Sequence, residues 1–170
     1  MIGVDLREIQ RPLKEGYRDD PETARITLTA RGAREDTPLA CSVDIGRAIY
    51  AAQAHTGVGG AGTAACSGDL LLGALAACAQ LTCQMVATSM GIELDTIEVT
   101  VEGDLDLRGT LGVDQDAPVG FSAIRVSFDL TAPGVPADRL DRLKERAERY
   151  CVVMRTLTSP PPIDTDWRIG

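Results

Sequence analysis

The side chains of this chain that are best suited to chemistry are its five cysteines and its single histidine, His55. Structural zinc sites usually contain close C-x-x-C pairs, and no such pair occurs here. Two of the cysteines share one predicted helix at a spacing that turns their sulfurs about 140° apart, so they cannot easily bind one metal. We therefore expect no metal site and interpret His55 as an ordinary loop histidine. The cysteines are Cys41, Cys66, Cys78, Cys83 and Cys151.

Two of these cysteines, Cys78 and Cys151, have positions that suit a primary and a resolving thiol. Cys78 lies in the middle of an uncharged predicted helix, where desolvation raises a thiol pKa and leaves the thiol unreactive unless a cation lies close. Cys151 lies at the end of a second predicted helix, whose negative end disfavours a thiolate. Arg149, and Arg155 if a new helical turn begins, would oppose that effect. The spacing equally allows all five cysteines to be small core residues.

A glycine-rich stretch, residues 57–62, satisfies the G-x-G-x-x-G pattern of dinucleotide-binding sites. In such a site the motif opens a helix directly, and an acidic residue about 20 positions later binds the ribose. Here the helix begins several residues later, and no acidic residue stands between Asp69 and Glu93. We interpret the stretch as a flexible loop and expect no cofactor.

The composition excludes several classes of partner. The chain has 25 acidic and 17 basic residues, a net charge of −8 and a pI near 4.6. This balance lacks the basic footprint of proteins that bind nucleic acid or anionic membranes, and we expect neither partner. The first twenty residues contain no apolar segment typical of a secretory signal, so the cytoplasm is the expected location. In that reducing compartment the cysteines would not form a disulfide framework.

Residues 67–91 form the central element of the predicted fold. No charged residue occurs from Leu70 to Ile92, Ser67 suits the N-cap, and Gly91 suits the left-handed residue that ends many helices. A helix that is apolar on nearly every side must be buried in a core or in lipid. The basic flanks and interfacial aromatics of membrane-spanning helices are missing, so we expect a sheet or a partner subunit to cover this helix.

The rest of the pattern indicates an α+β fold in which antiparallel sheet packs on helices. Alternating apolar and polar residues predict strands, and apolar residues at helical spacing predict a second helix. Residues 1–22, which are polar and contain two prolines, are predicted to be an N-terminal arm, and residues 23–170 to form the domain. The predicted strands are 24–30, 39–45, 96–105, 121–130 and 163–169, with a turn at 31–38, a loop at 108–120 and the second helix at 136–150.

Two motifs resemble those of the osmotically inducible protein C and organic hydroperoxide resistance (OsmC/Ohr) family. The first motif has the form S-x-x-L-L-L-x-A-L-x-x-C, runs from Ser67 to Cys78, and precedes the strand IEVTV at residues 97–101. The second is ERAERYCVV, which contains Cys151 and is followed by Thr156 and Leu157. The resemblance covers residues 24–170, with the motifs in the family's order.

This resemblance implies a fold and an activity. The fold would be OsmC-like, with antiparallel sheets wrapped around a long buried central helix, in an interlocked homodimer whose active sites lie at the subunit interface. Cys78 would be the peroxidatic thiolate that attacks an organic hydroperoxide and becomes a sulfenic acid as an alcohol leaves. Cys151 would condense with it to a disulfide, which an external dithiol must reduce. Such an activity would belong to an antioxidant stress response.

The resemblance also implies helper residues, and here the chain departs from the family pattern. Family members commonly place an arginine from the N-terminal hairpin over the reactive cysteine, and Arg31 or Arg34 could serve, with Arg31 slightly preferred. A glutamate near the start of the long helix usually orients that arginine. This chain has Asp69 there, one carbon shorter. An apolar substrate pocket beside Cys78 would be bordered by Phe121 and the loop at residues 113–120.

Two other functions remain open at this point. A non-catalytic protein of the same fold would hold a hydrophobic ligand in its interface pocket, with an unreactive Cys78. A thiol redox sensor would form the same disulfide but turn over slowly and signal to a protein partner.

Overall fold

The computed structural model describes residues 6–20, 25, 27, 31–34, 40–44, 49–112 and 114–170. Contacts group the chain into two compact units, Met1–Gly73 with Val101–Ser127, and Ala74–Thr100 with Phe128–Gly170. The α+β class is confirmed, whereas the predicted division into arm and domain stays a prediction. The described elements are α1 (Leu6–Asp19), β1 (Arg31–Arg34), β2 (Ala40–Asp44), β3 (Ile49–Gln53), α2 (Ser67–Ser89), β4 (Thr96–Asp104), α3 (Leu107–Thr110), β5 (Ala123–Thr131), α4 (Ala137–Tyr150) and α5 (Val152–Thr158).

Strands β1, β2 and β3 form an antiparallel sheet in that order. Residues 31–34 were expected in a turn, and this prediction is wrong, because they pair with β2 from Arg31 opposite Asp44 to Arg34 opposite Cys41. Polar residues and a glycine are typical of turns, but antiparallel pairing uses backbone groups that every residue except proline can supply. The predicted strand at 24–30 lies outside the described residues, apart from Arg25 and Thr27, which are not in a strand.

Strand β3 is an element that sequence analysis did not predict. Its sequence, IYAAQ, contains two alanines and no regular alternation, so its own strand propensity is weak. It forms because β2 offers a pairing edge, with Ala40 opposite Gln53 and Asp44 opposite Ile49. At its end the Gln53 N–H donates to the Ala65 carbonyl at 3.0 Å, which closes the glycine-rich loop that leads to α2.

The central helix α2 follows its prediction closely and differs from it in the N-cap residue. The N-cap is Cys66 and not Ser67, because the Leu70 N–H donates to the Cys66 carbonyl at 3.0 Å. At the other end the helix stops at Ser89, and Gly91 takes the expected left-handed φ of 63°. The Ile92 N–H then reaches the Ala87 carbonyl at 2.9 Å, which is the long bond of a Schellman cap.

The chain itself covers only part of α2. Leu75, Ala79 and Cys83 are buried, whereas Leu81 is 58% and Met85 43% exposed. By length and composition α2 could also cross a membrane, and a third of its most apolar window is buried within the chain. The core helix of a water-soluble protein passes the same test, so this finding does not argue for a membrane. The expectation that a helix apolar all round is fully covered is not met by the described residues alone.

The second unit has its core where the end of α2 meets α4. This core consists of buried residues from both helices and from the segment after α2, and aliphatic and aromatic residues of β4 and β5 pack on it. In both strands exposed and partly buried residues alternate strictly, as the sequence predicts. The buried residues are Cys83, Val86, Ala87, Ile92, Leu143 and Ala147.

The last third of the chain contains one confirmed helix, one unexpected helix and one strand that does not form. Helix α4 is confirmed, with Pro136 as its N-cap. Helix α5 follows directly and was expected only as a possible new turn. The predicted strand at 163–169 is wrong, since residues 160–170 have no regular secondary structure. Their alternation supplies one apolar face, but a strand also needs a free pairing edge, and no described strand of this chain pairs with it.

Candidate active site

Cys151 lies at the junction between α4 and α5 and belongs to both helix ends. Its N–H donates to the Ala147 carbonyl at 3.1 Å and completes α4, while its carbonyl accepts from the Arg155 N–H at 2.9 Å and begins α5. Its backbone is extended, with φ −71° and ψ 106°, so the chain turns there between two helices. The side chain is fully buried, at 0% exposure. The helix break therefore fixes one thiol in an interior position.

The structure brings Cys78 together with this junction. Cys78 is half-buried in the middle of α2, and the thiol of Cys151 hydrogen-bonds to its sulfur. The backbone N–H groups of Val152 and Val153, in the first turn of α5, donate to the same sulfur. Both cysteines are free thiols and no disulfide joins them. The predicted pair is thus in contact, in its reduced form.

The two thiols of this pair have opposite acidities. Burial acts to raise the pKa of Cys78, but hydrogen bonds from the Val153 N–H, the Cys151 thiol, the Thr82 hydroxyl and the Val152 N–H outweigh it, and the pKa is lowered. For Cys151, burial raises the pKa first, and the adjacent Cys78 sulfur raises it further, although the Met154 N–H opposes them. Cys78 is therefore the more acidic thiol of the pair, and Cys151 is the one that keeps its proton more strongly.

The predicted arginine donor to Cys78 stays a prediction. The sequence predicts that an arginine stabilises the Cys78 thiolate, with Arg31 or Arg34 as its source. Both arginines lie in β1, and their side chains are outside the described part of the structure. Among the described residues no arginine affects the pKa of Cys78, and the donors are uncharged. Sequence analysis missed the N–H groups of α5, although residues 152–158, free of glycine and ending before Pro160, carried a weak signal for a helix.

Asp69 has a described role at the start of α2. Its carboxylate accepts from the Cys66 N–H at 2.9 Å, and the Asp69 N–H donates to the Cys66 sulfur at 3.4 Å. This is a reciprocal capping box, with cysteine in the place of serine or threonine. The Cys66 N–H is the main cause that lowers the pKa of Asp69, followed by the Cys66 side chain. The predicted role of Asp69 in orienting an arginine stays a prediction.

The remaining predicted site residues are described within their own units. Phe121 belongs to the first unit, where its ring covers Gly103 and approaches Gly68. The predicted pocket border formed by Phe121 and the 113–120 loop stays a prediction, and Val113 lies outside the described residues. Cys83 is buried in the core of the second unit, and burial raises its pKa, so we assign it a packing role.

Comparison with known proteins identifies the family that this chain resembles. The family model described as OsmC-like protein matches residues 60–166, which include Cys78 and Cys151. No curated protein sequence matches the chain.

Solved structures share the fold over most of the chain. An OsmC-like protein from Mycoplasma pneumoniae is 15% identical and covers 79% of this chain and 89% of its own, with a TM-score of 0.66. An organic hydroperoxide resistance protein from Elizabethkingia anophelis is 19% identical, with coverages of 80% and 91% and a TM-score of 0.58. An organic hydroperoxide resistance protein from Legionella pneumophila is 18% identical, with coverages of 79% and 90% and a TM-score of 0.56. At these identities the likeness establishes the fold, a long central helix with antiparallel sheet. Because the family model spans more than half of the chain and the fold agrees, the chain belongs to the OsmC-like protein family.

Proposed function

We propose that this protein is a thiol-dependent peroxidase that reduces organic hydroperoxides to alcohols. The observation that carries the proposal is the contact in which the buried Cys151 thiol donates to the sulfur of Cys78. A nucleophilic thiolate with a protonated partner thiol beside it is the arrangement that a two-cysteine peroxidase needs. Fold relatives named organic hydroperoxide resistance proteins support the choice of substrate class.

The first step is attack by the Cys78 thiolate on the terminal oxygen of the hydroperoxide. A sulfur–oxygen bond forms, the oxygen–oxygen bond breaks, and Cys78 becomes a sulfenic acid that carries the hydroxyl group of the substrate. The alkoxide leaves and takes one proton to become the alcohol. The Cys151 thiol is next to the reacting sulfur and can supply that proton, which leaves Cys151 as a thiolate.

In the second step the Cys151 thiolate attacks the sulfur of the Cys78 sulfenic acid. A disulfide forms, and the sulfenic hydroxyl leaves as hydroxide, which takes up from the solvent the proton that Cys78 released on ionising and becomes water. The cycle then needs two electrons and two protons from an external dithiol, which restores both thiols. Because the sulfurs are already in hydrogen-bonding contact, the disulfide requires no large rearrangement of α2 or of the α4–α5 junction.

We propose that the protein acts as a homodimer. Leu81 and Met85 of α2 are exposed in the single chain, although the helix carries no charge after Asp69 that would favour water. A second copy related by a two-fold axis would cover the same face of both helices at once. The C-terminal segment adds support, because Ile163, Trp167 and Ile169 are 80–90% exposed and alternate with polar residues, as in a strand that lacks a partner.

Turnover of cumene hydroperoxide with a dithiol tests the proposed function. We expect the wild type to consume the hydroperoxide steadily and Cys78→Ser to show only the rate of the dithiol alone. Cys151→Ser should lose sustained turnover, because the Cys78 sulfenic acid then has no resolving thiol. Cys66→Ser is the matched control, because serine keeps the capping box of α2. Wild-type turnover by Cys78→Ser would refute the proposal. Rapid oxidation of the pair without sustained turnover would favour the redox-sensor function instead.

A further inference from the structure

Thr82 is the one polar side chain that is buried among the described residues, at 6% exposure. It lies one helical turn after Cys78 in α2, so both side chains occupy the same face of the helix. Its Oγ1 atom is 4.0 Å from the sulfur of Cys78. A buried hydroxyl needs a hydrogen-bond partner, and this sulfur is the partner that the described structure provides.

Other threonines of the described helices make a different bond. Thr88 donates its hydroxyl to the Gln84 carbonyl at 2.9 Å, and Thr158 donates to the Met154 carbonyl at 3.0 Å. These are the usual contacts of a helical threonine with the backbone four residues before it. The hydroxyl of Thr82 instead contacts the side chain of the residue four positions before it. The hydroxyl of Thr82 thus contacts a cysteine side chain, whereas those of Thr88 and Thr158 bind only their own helix backbone.

The charge of Cys78 determines the direction of this hydrogen bond. With a protonated Cys78 either atom could be the donor. A thiolate has no proton to give, so the Thr82 hydroxyl must then donate, and the bond becomes charge-assisted. The other groups at this sulfur are the Cys151 thiol and the N–H groups of Val152 and Val153, and in the described part of the chain no charged side chain joins them.

We propose that Thr82 belongs to the peroxidatic site and that its hydroxyl holds the Cys78 sulfur as a thiolate. The proposal rests on the proposed function, because it assigns Thr82 to the same reactive sulfur. In this arrangement α2 supplies one donor from its own next turn, and the α4–α5 junction supplies the others. The thiolate is thereby held from two elements.

The test is the pH dependence with which iodoacetamide alkylates Cys78 in the fully reduced protein, quantified on the Cys78 peptide by mass spectrometry. Thr82→Val removes the hydroxyl and keeps the shape, Thr82→Ser keeps the hydroxyl, and Thr88→Val removes a backbone-directed hydroxyl from the same helix. We expect Thr82→Val to raise the midpoint of the profile by about half to one pH unit, the range for loss of one hydrogen bond of ordinary strength. Thr82→Ser and Thr88→Val should keep the wild-type midpoint.

Two outcomes would overturn the proposal: a wild-type midpoint in Thr82→Val, or an equal shift in Thr82→Ser, which would indicate a packing effect. If Thr82→Val does not fold, as judged by circular dichroism, Thr82→Ala replaces it as the variant without a hydroxyl. The profile uses no hydroperoxide, so it is independent of the peroxidase assay. A raised midpoint supports the Thr82 bond even in a protein that forms no disulfide, and an unchanged midpoint overturns it even in a protein that does.

Discussion

At the scale of single residues, the site shifts the pKa values of two identical side chains in opposite directions. Cys78 and Cys151 contact each other, and each is buried to a degree that by itself raises a thiol pKa. The two pKa values differ because most of the hydrogen-bond donors point to the sulfur of Cys78. The N–H groups of Val152 and Val153 favour the charged form of Cys78, and its charge in turn keeps Cys151 protonated. Among the described residues, uncharged donors are thus enough to lower the pKa of Cys78 against the effect of its burial.

The pH dependence of Cys78 follows from this. Because its pKa is lowered, Cys78 stays a thiolate until the pH falls through that lowered pKa, and its alkylation midpoint should lie below the ordinary thiol value of about 8.5. Cys151→Ala removes one donor, so the midpoint should rise by about half to one unit and alkylation at pH 7 should slow about three- to tenfold. Cys66→Ser should leave both quantities unchanged. A midpoint that stays the same in Cys151→Ala would contradict the described hydrogen bond.

The sequence singled out the two cysteines that the structure brings together, but not the groups that lower the pKa of Cys78. The motifs around Cys78 and Cys151 are local, so they can be recognised in the printed chain. The donors are backbone N–H groups, which every residue except proline carries, and their role depends on where α5 begins. Only the folded chain determines that position. For the same reason the hydroxyl of Thr82 could not be distinguished from that of Thr88 before the structure was known.

At the scale of elements, the break between α4 and α5 is the feature that builds the site. One continuous helix would use the N–H groups of residues 152 and 153 for its own backbone bonds, and none would be left for a sulfur. By ending α4 at Tyr150 and starting α5 at Val152, the chain frees these groups and buries Cys151 between them. Long periodic elements such as α2 and α4 were predictable, whereas short ones such as β3 and α5 depend on neighbours that are distant in sequence.

Strand β4 illustrates a glycine that is required by packing. At Gly103 a Cβ atom would lie 2.5 and 2.6 Å from two carbons of the Phe121 ring and 3.2 Å from Leu72. Gly103→Ala should therefore lower the free energy of unfolding by about 1–3 kcal/mol, the usual cost of overpacking. Gly73→Ala in α2 is the matched control, because nothing lies within 4 Å of its Cβ, and it should be neutral or stabilising by up to about 1 kcal/mol. Urea unfolding of both variants measures the difference, and equal stabilities would contradict the packing described for Phe121.

At the scale of the whole molecule, the described chain leaves apolar surface that a homodimer would cover. The expectation of a helix buried on all sides is met only in part by one chain, since Leu81 and Met85 remain exposed. The predicted strand at residues 163–169 has the right alternation, but it pairs with none of the strands that the structure describes. A sequence pattern indicates which faces of a helix or strand are apolar and must be buried. It does not indicate whether the same chain or another molecule buries them. We propose that a second copy covers both features.

The oligomeric state tests this assignment. We expect the wild type to have the mass of a dimer by light scattering after gel filtration, about twice the 18.0 kDa of one chain. Leu81→Glu should shift the population toward monomer, because it places a charge on the apolar face of α2. Lys144→Glu, on the exposed side of α4, adds an acidic residue elsewhere and should keep the dimer. A monomeric wild type, or a Leu81→Glu variant that remains fully dimeric, would count against the proposed interface.

The most direct test of the central claim, that Cys78 and Cys151 form the redox pair, is the disulfide that one turnover leaves behind. Fully reduced protein is treated with about one equivalent of cumene hydroperoxide, digested without reductant, and mapped by mass spectrometry beside Cys78→Ser and Cys66→Ser. We expect a Cys78–Cys151 disulfide within seconds in the wild type and in Cys66→Ser, and none in Cys78→Ser. Free thiols at both positions after minutes, or a disulfide that joins other cysteines, would contradict it.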